Sequence, residues 1–354
     1  MLKVRIILPN QAKGGAERIL AGLGNSISNE YSVEFLILSE GGGNGFQLSQ
    51  PFKILRGSFL LNMLFKLPSH LHMLRNEDMV ISSQFYLNIW ISCLKWLNLV
   101  KAKSIVREST RIFQRFTGWR YNLAKWGVKA FYRQHNLIIA QTAGMANDIL
   151  EIQEQLPVVI LPNPIDLSGF SYENETSSFE WSGSSTIMSA GRLIPIKQFS
   201  ILLRAFSKLD AKYQLVIFGE GPEEQKLRAE ARTLGVMDRF WLPGVVDNPR
   251  KYFANANACV VSSELEGFPN VLLEMMSVNG AVISTTCADG IESLPGITTC
   301  PILNVDALTQ AMAQALAFTA GEKEARFVKM KEHLTGRSFE GFWERIIYHV
   351  NASE

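Results

Sequence analysis

The chain has 354 residues, 47% of them hydrophobic and 19% charged, with a formal net charge of +2 at pH 7. That length suits two domains of ordinary size, and a normal apolar fraction without repeats or low-complexity tracts excludes disordered, fibrous and solenoid classes. Its four cysteines, Cys93, Cys259, Cys287 and Cys300, are too scattered for a zinc or redox pair and too few for a disulfide scaffold, so a reducing compartment is expected.

The opening Met1-Leu2-Lys3-Val4-Arg5-Ile6-Ile7-Leu8-Pro9 has too short an apolar run for a signal peptide and reads as a buried first strand. Strand-like runs follow at 33–38, 79–82, 104–106, 137–140 and 158–161, then at 186–190, 214–218, 240–242, 258–262 and 281–284, with helix-like segments between them. This alternation predicts an α/β chain made of two doubly wound halves with parallel sheets. Leu161-Pro162-Asn163-Pro164-Ile165-Asp166 and the polar stretch to Gly183 have linker composition and set the boundary near Pro164. Domains are therefore expected over 1–163 and 164–335, with 336–354 as a short amphipathic C-terminal helix. Ligands of open parallel sheets bind at the carboxyl ends of the strands, so the two halves are expected to face a shared cleft. The longest hydrophobic stretch, 85–100, is broken by Asn88, Lys95 and Asn98. It falls short of the ~20 residues of a membrane span, and no transmembrane helix is expected.

Charge is unevenly shared: residues 1–164 carry +8 and the remainder −6. Between Met79 and Asn147 there are ten Lys or Arg and one acid, Glu108. From 111 to 135 the bases Arg111, Arg115, Arg120, Lys125, Lys129 and Arg133 alternate with Phe113, Phe116, Trp119, Tyr121, Trp126, Phe131 and Tyr132. Three readings stay open for this segment: contact with an anionic membrane leaflet, attraction of nucleic acid, or an amphipathic helix with its rings inward and its bases in water.

Three loops carry the residue types of a phosphate or sugar site. Pro9-Asn10-Gln11-Ala12-Lys13-Gly14-Gly15-Ala16-Glu17-Arg18 leads from the first strand into a helix expected near Ala16. Gly14 and Gly15 allow positive φ and close backbone approach, so the loop is either an anion-binding helix start or simply a turn. Gly191 follows the first strand of the second half, with Arg192 and Lys197 close behind, a pair of cations suited to a diphosphate and equally to an ordinary loop tip. In Glu264-Leu265-Glu266-Gly267-Phe268-Pro269-Asn270-Val271-Leu272-Leu273-Glu274, Pro269 suits the first turn of a helix whose Asn270 and Val271 N–H groups are open to an anion. Glu274 lies among Leu272, Leu273, Met275 and Met276 and needs a hydrogen-bonding partner, whether a ligand or a neighbouring cation.

Taken in order, Gly14-Gly15-Ala16-Glu17, Asn163-Pro164-Ile165-Asp166, Gly191-Arg192 with Lys197, Gly219-Glu220-Gly221-Pro222, Pro243-Gly244, and the glutamates Glu266 and Glu274 resemble the family-4 retaining glycosyltransferases of the GT-B fold. The resemblance spans nearly the whole chain, is strongest from Ser189 to Ser284, and is nearest to bacterial members that extend lipid-linked oligosaccharides or surface polysaccharides. It implies two Rossmann-like domains, a UDP-sugar donor held by the second and an acceptor by the first, with the last helix crossing back. It further implies that Arg192 and Lys197 neutralise the diphosphate and that Glu266 with Gly267, Phe268, Asn270 and Val271 meets the transferred sugar. Glu274 is implied to bind the ribose, Gly219, Glu220, Gly221, Gly244 and Val245 the base or ribose, and Gly14 and Gly15 the phosphates.

One position departs from the family pattern. Where many relatives carry a histidine in the first domain, this sequence reads Val106-Arg107-Glu108-Ser109-Thr110, leaving Arg107, Glu108 and Ser109 as candidates for contact with the sugar or acceptor. No Asp-x-Asp and no cluster with ligand spacing is present, so neither metal nor cofactor is expected. The expected function is transfer of a hexose or N-acetylhexosamine from UDP to a lipid-linked glycan, by a cytoplasmic protein peripheral to the membrane and without nucleic-acid partners. A non-catalytic sugar-nucleotide-binding scaffold of the same fold is the alternative.

Overall fold

The computed structural model describes residues 1–10, 14–39, 48–55, 71, 74, 77–111, 116–167, 185–246 and 248–352. Residues 168–183 of the expected linker, Phe113 and Arg115 lie outside these residues. The chain divides into two units, Met1–Asp166 with Arg337–Glu354, and Leu167–Gly336.

In the first unit the strands are β1 (Lys3–Leu8), β2 (Ser32–Ile37), β3 (Phe52–Ile54), β4 (Met79–Ser83), β5 (Lys103–Glu108), β6 (Leu137–Ala140) and β7 (Val158–Ile160). They form one parallel sheet in the order β3-β2-β1-β4-β5-β6-β7. Its described helices are α1 (Gly15–Ser26), α2 (Phe85–Trp96), α3 (Trp119–Phe131) and α4 (Ala143–Leu150). In the second unit β8 (Thr186–Ala190), β9 (Gln214–Phe218), β10 (Phe240–Trp241), β11 (Ala258–Val261), β12 (Val282–Thr285) and β13 (Thr298–Cys300) make a parallel sheet in the order β10-β9-β8-β11-β12-β13. Helices α5 (Phe199–Ser207), α6 (Glu224–Thr233), α7 (Arg250–Asn255), α8 (Asn270–Met276), α9 (Val305–Leu316) and α10 (Ala320–Leu334) accompany it. The central strands β1, β4, β8, β9 and β11 are covered on both faces, which is why they read as unbroken apolar runs instead of alternating ones.

Two strands escaped the sequence reading, and both are edges of three residues. In β3 the side chains of Phe52 and Lys53 are exposed, and in β13 Thr298-Thr299-Cys300 has no apolar run, so neither presents a buried-strand signal.

The last helix, α11 (Phe339–Ala352), belongs to the first unit. Phe342, Trp343, Ile346 and Val350 share one helical face and are buried with Val4, Ile6, Leu20 and Phe35. The Trp343 ring meets Tyr31 edge-on with centroids 5.0 Å apart, and a Cβ on Gly22 would collide with the Phe339 ring, so α1 and α11 approach closely only because position 22 is glycine. Ile165 N donates to Arg337 O at 2.7 Å, tying the chain where it leaves the unit to the place where it returns. Burial of a tryptophan in a fitted core makes its truncation expensive. Trp343→Ala is expected to lower unfolding free energy by about 3–5 kcal/mol in urea denaturation followed by circular dichroism.

Candidate active site

In each sheet the strand order reverses at one point, between β1 and β4 in the first and between β8 and β11 in the second. Connections on either side of such a point run to opposite faces of the sheet, which leaves a crevice at the carboxyl ends of those strands. The sequence motifs fall at these ends: Gly14 and Gly15 after β1, Gly191 to Lys197 after β8, and Ser262 to Asn270 after β11.

In the second unit three glycines are laced together. Gly191 N donates to Phe218 O at 2.9 Å, Gly219 N to Gly244 O at 2.8 Å, and Leu193 N to Glu220 O at 2.8 Å. Gly219 adopts φ +136°, and a Cβ there would strike the Gly191 carbonyl oxygen. Glycine is therefore required by both conformation and space. Glu220 and Val245 are exposed beside these turns, and Gly244 has φ +88°.

On the other side of the switch point, the Lys197 ammonium is ion-paired to Glu266 Oε1, with both side chains 17% exposed. Glu266 Oε1 also accepts from Ser263 Oγ at 2.8 Å, and Glu266 N donates to Cys287 O at 2.8 Å. Ser262 Oγ donates to Lys197 O at 2.9 Å, Glu264 N to Ile196 O at 2.9 Å, and Gln198 Nε2 to Glu264 Oε2 at 2.8 Å. Lys197 thus ends a 3-10 turn, Pro195–Lys197, that is bolted to the β11 loop, so cation and carboxylate are pre-positioned. The nearby Cys287 thiol is pushed up to about 12, first by burial and then by the Glu266 charge, and is inert at neutral pH. Arg192 is exposed, and among the described residues no ion pair engages it.

Two local expectations are corrected here. Pro269 is the cap residue, at φ −76° and ψ 103°, and the helix starts at Asn270. That helix, α8, has only seven residues, so it offers little dipole to an anion, and binding has to come mainly from side chains and loop backbone. Within α8, Leu272, Leu273, Met275 and Met276 are buried, whereas Glu274 is partly exposed and Gly267 is buried; Phe268, Asn270 and Val271 are partly exposed.

In the first unit α1 begins at Gly15, one residue before the expected start, with Gly14 as its cap at φ −78°. Positive φ is therefore not the reason for glycine at position 14. Gln11 to Lys13 lie outside the described residues. Across the switch point, Gln84 Nε2 donates to Glu17 Oε1 at 2.6 Å, and Gln84 itself has φ +94°, a rare conformation for a side-chain-bearing residue.

Arg107 and Glu108 lie inside β5 and are each 1% exposed, while Ser109 just beyond is partly exposed. Arg107 donates to Asn163 Oδ1 at 2.5 Å and to Ser83 Oγ at 3.2 Å; Asn163 Nδ2 in turn donates to Gln141 Oε1 at 3.0 Å. Burial pulls the Arg107 guanidinium down to about 10 against the pull of Glu17 and Glu108, leaving it charged at neutral pH. Glu108 Oε1 accepts from Tyr132 OH at 2.5 Å and Asn88 Nδ2 at 2.7 Å. Both side chains are thus turned into a buried network that fixes the end of β5 and holds Asn163. His135 sits between Ser92 Oγ at 2.5 Å and Ser104 Oγ at 3.1 Å; burial, aided by the Lys95 charge, lowers it to about 3, so it is a neutral packing residue. His70 and His72 lie outside the described residues.

The glycines, cations and glutamates expected in the second unit lie on the loops that follow its strands and on α8. Gln84, which hydrogen-bonds in the first unit, and Gln198, Ser262 and Ser263, which hydrogen-bond beside those residues of the second, gave no signal, since serine and glutamine are common in any loop and carry no spacing pattern.

Comparison with known proteins gives the class to which loops of this kind belong. Residues 184–317 match the family described as "Glycosyl transferases group 1". A Campylobacter jejuni protein named N-acetylgalactosamine-N,N'-diacetylbacillosaminyl-diphospho-undecaprenol 4-alpha-N-acetylgalactosaminyltransferase is 26% identical over 314 residues, 84% of this chain and 84% of its own. A second from the same organism, GalNAc-alpha-(1->4)-GalNAc-alpha-(1->3)-diNAcBac-PP-undecaprenol alpha-1,4-N-acetyl-D-galactosaminyltransferase, is 24% identical over 83% of this chain and 82% of its own. Among solved structures, Anabaena HepE in complex with UDP and glucose superposes with a TM-score of 0.82 at 13% identity, covering 99% of this chain and 100% of its own, a likeness of fold. Over residues 184–317 the chain matches the group 1 glycosyl transferases, and as a whole it shares the fold of solved GT-B glycosyltransferases. It is a glycosyltransferase enzyme.

The requirement for glycine at position 219 gives a direct check. Gly219→Ala is expected to lower the melting temperature, by an amount equivalent to about 1–3 kcal/mol or more, whereas Gly321→Ala, with open space at its Cβ, should not.

Proposed function

We propose that this enzyme transfers a hexose or N-acetylhexosamine from a UDP-sugar to a lipid-linked glycan during assembly of a bacterial surface polysaccharide such as O-antigen, capsule or lipopolysaccharide. The observation that carries the reading is the Lys197–Glu266 pair at the β8/β11 switch point, braced by three loops, with Arg192 exposed on the same loop as Lys197. The printed names of the Campylobacter relatives, both acting on undecaprenol-diphosphate-linked glycans, support the acceptor class. Complexes of HepE with UDP and glucose support the donor class.

In this reading Arg192 and Lys197 bind the donor diphosphate, Glu266 and the backbone from Gly267 to Val271 meet the sugar, and Glu274 binds the ribose. Gly219 to Gly221, Gly244 and Val245 line the base or ribose, Gly14 and Gly15 approach the phosphates, and the first unit takes the acceptor. As the bond between the anomeric carbon and the phosphate oxygen breaks, negative charge grows on UDP and positive charge on the sugar. Fixed cations stabilise the first, and a carboxylate near the sugar the second. The acceptor hydroxyl attacks from the same face, its proton passing to the departing phosphate oxygen, so that the anomeric configuration is retained. The two cations supply the charge compensation without a metal. The enzyme works at the inner, cytoplasmic face of the membrane, where lipid-linked acceptors and nucleotide sugars meet.

The catalytic reading is favoured over the scaffold because the acidic and basic groups of the second unit are all present and two of them are already engaged with each other. A panel of UDP-sugars scored for UDP release, with and without lipid-linked acceptor, tests it. Arg192→Ala and Lys197→Ala are each expected to reduce turnover about 10²–10³-fold with little change in melting temperature. Binding of UDP-sugar without release by the wild-type chain would instead support the scaffold, and unchanged turnover in both variants would remove these residues from the diphosphate site.

A further inference from the structure

Helix α3 has an apolar stripe that stays exposed among the described residues. Ala124, Gly127 and Val128 form its buried face, with Gly127 against Ile89 of α2. On the opposite side Trp119, Leu123 and Trp126, at i, i+4 and i+7, are 70%, 56% and 58% exposed. The end of α2 adds Trp96 and Leu97, 59% and 54% exposed. These residues form one patch: the Phe131 ring lies between Trp126 and Trp96, with centroids 5.5 Å and 6.2 Å away and edge-on geometry to each. Scattered exposed hydrophobic residues need no explanation, but three tryptophans and two leucines on adjoining helices do.

The charges around the patch select its occupant. Arg120, Lys125 and Lys129 are exposed on the same helix, which has no acidic residue. Arg120 stacks over the Trp119 ring at 5.5 Å. Arg133 is set aside, because it borders Glu151 and Glu154. Tryptophan prefers the boundary between headgroups and acyl chains, leucine the acyl side, and lysine and arginine extend to anionic headgroups. Exposed tryptophans and leucines beside bases, on a helix without an acid, have the composition of a membrane interface, and a protein partner is the competing occupant that the vesicle test must separate. No described helix is long and apolar enough to cross a membrane.

We propose that the outer face of α3, with the end of α2, is the surface by which this enzyme lies on a bilayer containing anionic lipid. The assignment rests on the peripheral location proposed above and specifies the residues that make the contact: Trp96, Leu97, Trp119, Leu123 and Trp126 enter the interface, and Arg120, Lys125 and Lys129 meet lipid phosphates.

Flotation of the full chain with vesicles of phosphatidylglycerol and phosphatidylcholine, or of phosphatidylcholine alone, provides the test. The wild-type chain is expected to float with the anionic vesicles, less so as salt rises. Trp119→Ala/Trp126→Ala and Lys125→Glu/Lys129→Glu should each weaken binding about tenfold or more, with circular dichroism unchanged. Brominated phosphatidylglycerol should quench the wild-type tryptophan fluorescence, a readout that needs no variant. Wild-type binding that both double variants retain, or that leaves the fluorescence unquenched, overturns the surface and spares the peripheral location. Absence of wild-type binding overturns both. Self-association abolished by Trp119→Ala/Trp126→Ala, without vesicle binding, would assign the patch to a second copy of the chain and contradict the proposal.

Discussion

The arrangement at the second switch point depends on holding an ammonium and a carboxylate in contact before any ligand arrives. Lys197 and Glu266 are 69 residues apart in sequence and meet because β8 and β11 are neighbours at the reversal of strand order. Left exposed on mobile loops, such a pair would contribute little. Here the loops are locked by Ser262 on the Lys197 carbonyl, Glu264 on the Ile196 carbonyl and Cys287 on the Glu266 amide, so the side chains are oriented by backbone hydrogen bonds. The ordering entropy is met during folding rather than on binding, which is the physical meaning of pre-organisation.

On the function proposed above, the same pair sets the terms for the donor: a diphosphate oxygen that reached Lys197 would have to displace Glu266 or share the ammonium with it, while Ser263 would still donate to the carboxylate. The first unit is built differently. Its buried polar groups, Arg107, Glu108, Asn88, Tyr132 and Asn163, hydrogen-bond in a network with Ser83 and Gln141 around the end of β5, in which, among the described residues, only Arg107 Nε lacks a partner.

Much of this was legible in the sequence because buried parallel strands are written as continuous apolar runs and because glycine is conspicuous wherever two backbones meet. Gly191, Gly219 and Gly244 stood out, and the Gly219–Gly191 approach explains why no other residue serves at 219. Edge strands β3 and β13 were illegible, since three half-exposed residues carry no period. Pro269 read as the first helical residue because proline favours that position; one step of register made it the cap, and α8 proved too short to matter as a dipole. Gln84 and Gln198, at φ +94° and +53°, occupy conformations that sequence reasoning reserves for glycine or asparagine, and only tertiary contacts reveal them. The three exposed side chains of α3 were hidden for a related reason. Aromatic residues interleaved with bases describe a helix with its rings inward as well as one with them outward, and only the packing of Ala124 and Val128 decides between the two.

Calorimetric titration of UDP into the full chain tests the central claim most directly, by comparing wild type with Lys197→Ala and Glu266→Gln. If the ammonium is the diphosphate anchor and the carboxylate its resident competitor, UDP binds the wild type, binds more weakly without the lysine, and binds more tightly once position 266 is uncharged. Equal affinity in all three chains, or no binding to any of them, would contradict the account.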